Sequence, residues 1–327
     1  MQFASTRTAI TALVLAALVG ATAATAQEFP TQPVKLVGPY PPGGGVDGLA
    51  RPLAEKLSEA WGKPVIVENK PGASTILGAE QVVKSAPDGH TLLFTSDSTI
   101  TSNPHLFKKL SHDPMKELTP VTQIIDLHQM VVVHPSVEAA TMKDLAALAK
   151  AKPKALNYAS YGVGSQPHLL FEMLKKETGI SIEQVPFKGI APALTAVIAG
   201  ETQMTLGGAA TSAGHMKAGR LKALAISRGA RLPSHPEVPT LAEAGFPNID
   251  PRSWFGMFAP ARTPAAVVER IQKATEAVLK EAAFKARYID GPGYTGVAQS
   301  PAAFAKFVAD DFAYKQRLIS VTGITAE

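Results

Sequence analysis

Short apolar runs alternate with helix-forming stretches along most of this 327-residue chain. Eight runs are rich in β-branched or aliphatic residues and are bounded by Gly, Pro or Asn, which is typical of strands: Val34–Val37, Val65–Val67, Thr91–Thr95, Met130–Val133, Ala155–Ala159, Ile182–Val185, Gln203–Leu206 and Leu221–Ile226. Between them, apolar residues follow the helical period in Leu49–Trp61, Ile76–Ser85, Met142–Ala151, Pro167–Thr178, Pro192–Ala199 and Ala213–Ala218. This alternation predicts an α/β protein with parallel sheets that helices cover on both faces.

The last part of the chain is predicted to be helical. Residues 263–319 follow the helical period with one interruption, Asp290–Gly296, where Gly-Pro-Gly breaks the pattern. Two helical segments should therefore end the chain. Asp310 and Asp311 are expected on the surface of the second segment, without the partner that an acid–base pair would need.

Residues 1–26 have the composition of a secretory signal. They carry one positive charge, Arg7, an apolar run over Ala9–Val19, and Ala24-Thr25-Ala26 directly before Gln27. The apolar run is shorter than the roughly 20 residues that cross a bilayer. We therefore expect a soluble, exported protein whose mature chain begins at about Gln27.

Composition excludes several classes of protein. The chain has no cysteine, which rules out disulfides, zinc–thiolate sites and thiol catalysis. Its net charge of +5 is spread along the sequence without a basic cluster, so nucleic acid is not an expected partner. A chain of this length with 46% hydrophobic residues can bury sizeable cores and is expected to form two domains.

The segment Leu36–Leu57 contains a strand, a Pro-Gly turn and an amphipathic helix in direct succession. The amides of Gly43, Gly44, Gly45 and the first helical turn should be unpaired there, which suits an anion. Gly-Lys-Ser/Thr of a nucleotide-binding loop is absent, and Asp47 is expected to be the N-cap. A plain tight turn would have the same sequence, so the pattern alone leaves both interpretations open.

Other loops that follow predicted strands share one character. They are small, hydroxylated and rich in glycine, as in Ser96–Asn103, Ser160–His168 and Pro186–Pro192. Such residues let a small anion, for example a carboxylate, approach the main chain and helix N-terminal amides at the strand ends. No nucleophile–base–acid set, Gly-x-Ser-x-Gly elbow or metal-ligand spacing is present, so we expect no catalytic residue, no metal and no cofactor. His168 could donate to a ligand or be a satisfied structural histidine.

Five sequence blocks, in the same order along the mature chain, resemble the extracytoplasmic solute receptors of tripartite tricarboxylate transport systems, the Bug (TctC-like) family. They are PYPPGGGVDGLARPLAEKLSEAWGKPVIVENKPGASTILGAE, APDGHTLLFTSDSTITSNPHLF, NYASYGVGSQPHL, VPFKGIAPALTAVIAGE and DPRSWFGMFAPARTP. The resemblance implies a type II periplasmic-binding-protein fold, a clamshell of two doubly wound α/β domains joined by two crossing segments. It implies a receptor, not an enzyme, that delivers a small carboxylate to a membrane permease with two integral subunits. We expect it to act as a monomer.

The resemblance also implies a set of ligand-binding residues in the loops and near the hinge: Tyr40, Pro42, Gly43, Gly44, Gly45, Asp47, Thr95, Ser96, Ser98, Asn103, Ser160, Gly162, Val163, Gly164, Ser165, His168, Phe187, Lys188, Gly189, Gly207 and Trp254. Many relatives carry an acid at or beside the position of Gly207, which argues here against an amino-acid ligand and leaves room for a bulkier acid. Tyr40 and Trp254 could equally pack in the core, and Lys188 could be a surface lysine. Replacing Gly44 or Gly164 by a bulky residue is expected to abolish binding while the fold stays intact.

The crossing segments are predicted near Val121–Val133 and Asn248–Pro260. The first domain then comprises residues 27–126 and 250–327, and the second comprises residues 127–249. A sensor that passes its loaded state to a membrane signalling protein remains an alternative to a transport receptor. An exported α/β hydrolase is a further alternative, although it lacks a visible catalytic set.

Overall fold

The computed structural model describes residues 29–227 and 229–326. The expected signal segment and its cleavage site lie outside these residues. The eleven strands of the described chain are β1 (Val34–Gly38), β2 (Val65–Asn69), β3 (Thr91–Ser96), β4 (Leu118–Asp126), β5 (Gln129–Val133), β6 (Asn157–Ser160), β7 (Glu183–Pro186), β8 (Met204–Gly208), β9 (Lys222–Ile226), β10 (Trp254–Pro260) and β11 (Thr295–Gly296).

The α-helices of the same residues are α1 (Gly45–Trp61), α2 (Ile76–Val83), α3 (Asn103–Leu106), α4 (Pro114–Glu117), α5 (Met142–Ala151), α6 (Gln166–Thr178), α7 (Ile190–Ile198), α8 (Ala209–Lys217), α9 (Ala265–Lys280), α10 (Ala282–Phe284) and α11 (Pro301–Thr322). Short π-helical segments at Ser98–Ser102 and Lys285–Asp290 and a 3₁₀ turn at Ala73–Thr75 complete the list. None of the helices in this described part is long and apolar enough to span a membrane.

The strands form two sheets. The first sheet has six strands in the order β11-β4-β10-β3-β1-β2, and the second has five in the order β7-β6-β8-β5-β9. The chain passes from the first sheet to the second between β4 and β5, and returns between β9 and β10. The two connections touch, because the Leu127 N–H donates to the Ser253 carbonyl at 2.9 Å. This architecture confirms the predicted clamshell class with two crossing segments.

The sheets are mixed, so the prediction of parallel sheets was wrong in part. In the first sheet β1 pairs in parallel with β2 and β3, but β10 runs antiparallel to β3 and β4. In the second sheet β5 runs antiparallel to both β8 and β9. The antiparallel members β4, β5 and β10 adjoin the connections between the sheets.

The helix α1 shows how the sequence builds this fold. Val46, Leu49, Leu53 and Leu57 recur at helical spacing and are buried against the first sheet. Burial of each leucine contributes about 1.5–3 kcal/mol. The helix ends at Gly62, whose φ of 62° is the left-handed conformation that terminates helices. Packing of α1 therefore fixes the loop that precedes it, which is the first predicted anion cradle.

The C-terminal helix α11 contacts helices from both parts of the chain. Leu318 and Ile319 of α11 share an apolar cluster with Leu106 of α3 and Leu169 of α6. Because α6 follows a strand of the second sheet and α3 follows a strand of the first, this cluster holds the two sheets side by side.

A candidate ligand-binding cleft between the sheets

The glycine loop before α1 forms the first half of the site. Gly44 is the N-cap of α1 without a side-chain cap, and Gly43 has a φ of 81° that favours glycine. A Cβ on Gly43 would meet no atom within 4 Å, and one on Gly44 would meet only the Pro41 carbonyl oxygen at 3.7 Å. Open space therefore adjoins the N-terminus of α1, where uncapped amides and the helix dipole favour an anion.

Asp47 lies in the first turn of α1 and is not the predicted N-cap. Its carboxylate accepts hydrogen bonds from the Gly43 N–H at 2.9 Å, from Arg51 Nε at 3.0 Å and from Asn69 Nδ2 at 2.9 Å. Burial alone would raise its pKa, but hydrogen bonds from Arg51, Gly43 and Asn69 outweigh burial and lower it. Asp47 is 4% exposed and both of its carboxylate oxygens accept hydrogen bonds from the protein. It therefore holds the glycine loop in shape and does not face a ligand.

Asp47→Asn is expected to lower the free energy of unfolding by about 1–3 kcal/mol at pH 7, because buried donors lose their charged acceptor. The folded pKa lies below the ordinary value of about 3.9. The stabilisation should therefore be complete above that value and disappear as the pH falls through the folded pKa. Urea unfolding at several pH values measures the difference. Asp310→Asn, at an exposed ion pair with Lys306, is the control and should change little; an equal loss in both variants would contradict the prediction.

Hydroxyl groups line the next part of the first half-site. The Tyr40 hydroxyl lies 2.7 Å from Ser96 Oγ, and Thr95 Oγ1 lies 2.5 Å from Thr99 Oγ1. Thr99 in turn donates to Thr75 Oγ1 at 2.8 Å. These side chains come from the ends of β1 and β3 and from the 3₁₀ turn, so three connections of the first sheet converge here.

The 3₁₀ turn itself has an unusual backbone. Ala73, Ser74 and Thr75 have φ values of 45°, 51° and 80°, a left-handed conformation that costs energy in residues with a Cβ. Asn103 Nδ2 holds the turn by donating to the Ser74 carbonyl at 2.7 Å and to Thr75 Oγ1 at 3.2 Å. Strain of this kind concentrates at functional sites, and it adds this turn to the candidate site.

The second half-site is the loop between β6 and α6. Ser165 Oγ donates to the Gly162 carbonyl at 2.7 Å, and Ser160 Oγ accepts from Gln184 Nε2 at 2.7 Å. A Cβ on Gly162 would meet no atom within 4 Å, so this part of the loop is open. Gly164 differs, because its φ is 73° and a Cβ there would lie 2.1 Å from Leu106 Cδ1. A bulky residue at Gly164 would therefore disturb the packing, contrary to the expectation of an intact fold.

His168 supports this loop. Its Nδ1 lies 3.2 Å from the Gly164 amide, which donates to it. Burial lowers the pKa of His168, Glu172 opposes this shift and Lys175 adds to it, so the neutral form that can accept from the amide is favoured. The structural role proposed as an alternative for this histidine is thus the one that the hydrogen bond indicates.

Each half-site also contains tyrosine side chains. Burial raises the pKa of the Tyr161 hydroxyl, a hydrogen bond with Gln129 lowers it, and the neighbouring Asp97, Tyr294 and Tyr40 raise it further. The Tyr294 hydroxyl would lie 3.6 Å from a Cβ on Gly45. Tyr40 and Tyr294 therefore adjoin the first half-site, and Tyr161 belongs to the loop of the second.

Two predicted site residues lie elsewhere. Trp254 has no exposed surface, packs on Phe304 of α11 and donates from Nε1 to Asp311 Oδ2 at 2.9 Å. Its neighbour Phe255, on the opposite face of β10, lies beside Gly45 instead. Gly207 is buried within the second sheet, and a Cβ there would lie 2.4 Å from Ser212 Oγ. It therefore offers no room for a bulkier acid, and both assignments are corrected.

The remaining predicted residues lie on the loops as expected. Pro42, Val163 and Lys188 are exposed, Ser98 and Phe187 are half-buried, and Gly189 is the N-cap of α7. The residues predicted for the site did not include Thr75, Tyr161, Phe255 or Tyr294. Thr75 and Tyr161 stand in glycine-rich loops after predicted strands, which is the signal that could have found them. In residues 29–227 and 229–326, no group of three or more His, Asp or Glu side chains could hold a metal ion.

Comparisons with known proteins show which family the chain is similar to. The model of a family described as "Tripartite tricarboxylate transporter family receptor" matches residues 49–324. Protein BugT of Bordetella pertussis is 32% identical over 300 residues, which cover 91% of each chain. Among solved structures, R. palustris Rpa4515 with adipate is 30% identical with a TM-score of 0.84, over 91% of this chain and 99% of that chain. MatC from Rhodopseudomonas palustris with bound malate is 28% identical with a TM-score of 0.81, over 89% and 100%. The resemblance found in the sequence is thereby confirmed, and the chain belongs to the tripartite tricarboxylate transporter receptor family.

Proposed function

We propose that this protein is a periplasmic receptor that binds a small di- or tricarboxylic or aromatic acid between its two sheets and delivers it to the membrane permease of a tripartite tricarboxylate transporter. It performs no chemistry on the acid. The observation that carries the proposal is the pair of glycine loops before α1 and α6: a Cβ on Gly43 or Gly162 would meet no atom within 4 Å, and neither helix has a side-chain N-cap. Adipate and malate, which relatives bind, have carboxylates at both ends.

The two sheets define two lobes, each with its own part in ligand binding. We assign residues 27–126 and 250–327 to a first lobe, and residues 127–249 to a second lobe. Each lobe supplies one cradle, so an acid that contacts both cradles favours the closed arrangement over an open one. The ligand thus stabilises the form that a permease would recognise.

The cradles select for a carboxylate through neutral donors. Uncapped amides at the start of α1, together with the Tyr40 and Ser96 hydroxyls, supply hydrogen bonds to one carboxylate. The Ser160–Ser165 loop and the Tyr161 hydroxyl supply them to the other end. Asp47 and His168 hold the two glycine loops in shape, as the hydrogen bonds to Gly43 and Gly164 indicate.

A thermal-shift screen of the ligand-stripped mature protein tests this function. Adipate, malate, citrate and aromatic acids form the panel, with amino acids and sugars as controls. An acid at a hundred times its dissociation constant adds about 2.7 kcal/mol of stability, enough for a shift of several degrees. We expect one class of acid to raise the melting temperature while the controls do not. A shift with a sugar alone, or with no acid at any concentration, would refute carboxylate binding.

A further inference from the structure

Three charged side chains are completely buried where the two lobes meet. Asp97, Asp311 and Lys315 each have no exposed surface. Lys315 Nζ lies 3.0 Å from Asp97 Oδ2, and Asp311 Oδ2 accepts from Trp254 Nε1 and from Thr101 Oγ1. We call these three residues the charged cluster. None of them belongs to the surface of the cradles described above.

The charged cluster joins segments of both lobes. Lys315 Nζ donates to the carbonyls of Pro251 and Arg252, at 2.5 and 2.8 Å, in the connection that returns from the second sheet. Asp97 Oδ1 accepts from Gln166 Nε2 at 2.8 Å, and Gln166 is the first residue of α6 in the second lobe. The C-terminal helix, the return connection, the end of β3 and the start of α6 are therefore linked through one carboxylate and one ammonium.

Stability alone does not account for this cluster. Burying an ion pair carries a desolvation cost for each ion, and well-packed apolar residues at such places often give equal or greater stability. The cluster contains two carboxyl groups and one ammonium, and Asp311 Oδ1 is buried without a hydrogen-bond partner. Burial also raises the pKa of Asp97, which Lys315 opposes and Asp311 reinforces. Hydrogen bonds and ion pairs are directional, so the charged cluster is suited to fixing the relative geometry of the segments that it joins.

The two cradles adjoin this link on either side. Asp97 stands between Ser96 and Ser98 of the first half-site, and Gln166 directly follows Ser165 of the second. A hydrogen bond between Asp97 and Gln166 therefore fixes the distance between the two half-sites. The apolar cluster around Leu169 also holds α6, but apolar contacts are not directional and permit sliding.

We propose that Asp97 and Gln166 are positioning residues, and that their hydrogen bond, anchored by Lys315, is the pivot that sets the closing angle of the cleft. The proposal rests on the receptor function proposed above. It predicts that a loosened pivot leaves each lobe folded but widens the range of angles between them, so that fewer molecules hold both cradles in position for one acid.

Gln166→Met tests the pivot, because methionine keeps the volume and removes the amide donor. Gln272→Met is the matched control: Gln272 is also a buried glutamine, 6% exposed like Gln166, but its amide donates within the first lobe. Since the chain has no cysteine, Glu55→Cys on α1 and Ala147→Cys on α5 can carry one spin label on each lobe. Both positions are exposed.

The readouts are the distribution of label-to-label distances without ligand, and the affinity for adipate and malate by calorimetry. We expect Gln166→Met to broaden the distribution and to weaken binding by roughly ten- to a hundredfold, as loss of a hydrogen bond to a charged group implies. The control should keep both values. An unchanged distribution and affinity in Gln166→Met would overturn the pivot, as would equal changes in the control.

The outcomes separate the pivot from the receptor function. If neither acid binds the parent protein, the binding function fails for these acids, and the distance distributions still decide the pivot. A lower melting temperature in Gln166→Met with an unchanged distribution would mean packing only and would refute the proposal. Gln166→Ala, in which water can replace the amide, provides the same two readouts if Gln166→Met does not fold.

Discussion

Replacing Lys315 with methionine is expected to lower the free energy of unfolding by about 3–5 kcal/mol. The variant would leave the Asp97 carboxylate buried without its ammonium partner at 3.0 Å, and the carbonyls of Pro251 and Arg252 without their donor. Removal of one member of a buried pair costs more than the pair itself contributes, because the other charge cannot be solvated. Urea unfolding followed by circular dichroism measures the loss.

Two further variants show whether the loss comes from the unpaired charge. Lys306→Met removes a lysine from the same helix, but Lys306 is 78% exposed and pairs with Asp310 at the surface, so it should cause almost no change. The double variant Asp97→Asn/Lys315→Met removes both charges and should recover part of the loss. A double variant as unstable as the sum of its single variants would show that the two side chains are not coupled.

Gly44→Leu is expected to weaken acid binding by about a hundredfold or more while the protein remains folded. Gly44 has a φ of −78°, which any residue adopts, and a Cβ there has no close neighbour. The leucine side chain would therefore occupy the open space at the start of α1, in which we place one carboxylate. Calorimetric titration with the acid found in the thermal-shift screen measures the affinity.

Gly48→Leu is the matched control for this substitution. Gly48 lies one turn further along α1, and a Cβ there meets no atom within 4 Å. Leucine at this position should preserve binding and favour the helix. Retained affinity in Gly44→Leu, or equal loss in both variants, would refute the position of the first cradle. A substitution at Gly164 gives no such test, because the introduced side chain would collide with Leu106.

The strand–helix alternation was sufficient to predict most of the fold. All eight predicted strands are present with small differences at their ends, and the structure places α5 at the predicted Met142–Ala151. The strands β4 and β10 were missed because their sequences were interpreted as connections between the domains. Both strands adjoin a connection: two residues separate β4 from β5, and β10 begins directly after the return connection. A local hydrophobic pattern does not show which other strand a strand pairs with.

The candidate site was predictable where function depends on the main chain. Glycine loops before helices are visible in a sequence, because few residues other than glycine adopt the required backbone. The direction of a side chain from a fully buried strand is not visible. Trp254 and Phe255 alternate on β10, whose residues are all buried, so apolarity could not show which ring faces the glycine loop.

The burial of the charged residues Asp311 and Lys315 could not be predicted from the sequence either. Asp311 was expected on the surface of α11, like its neighbour Asp310, because charged residues on a C-terminal helix are usually solvated. Only the packing of α11 against β4 and the return connection places Asp311 and Lys315, four residues apart, on the buried face.

The strand order also has a consequence for the order in which the chain can fold. All strands of the second sheet lie between residues 129 and 226, whereas β10 stands between β4 and β3 in the first sheet. A chain that emerges from its N-terminus can therefore complete the second sheet early, while β4 has no partner strand and β3 pairs only with β1 until β10 has appeared. We therefore expect the inserted lobe to fold first, and the cleft to form only when β10 joins the first sheet.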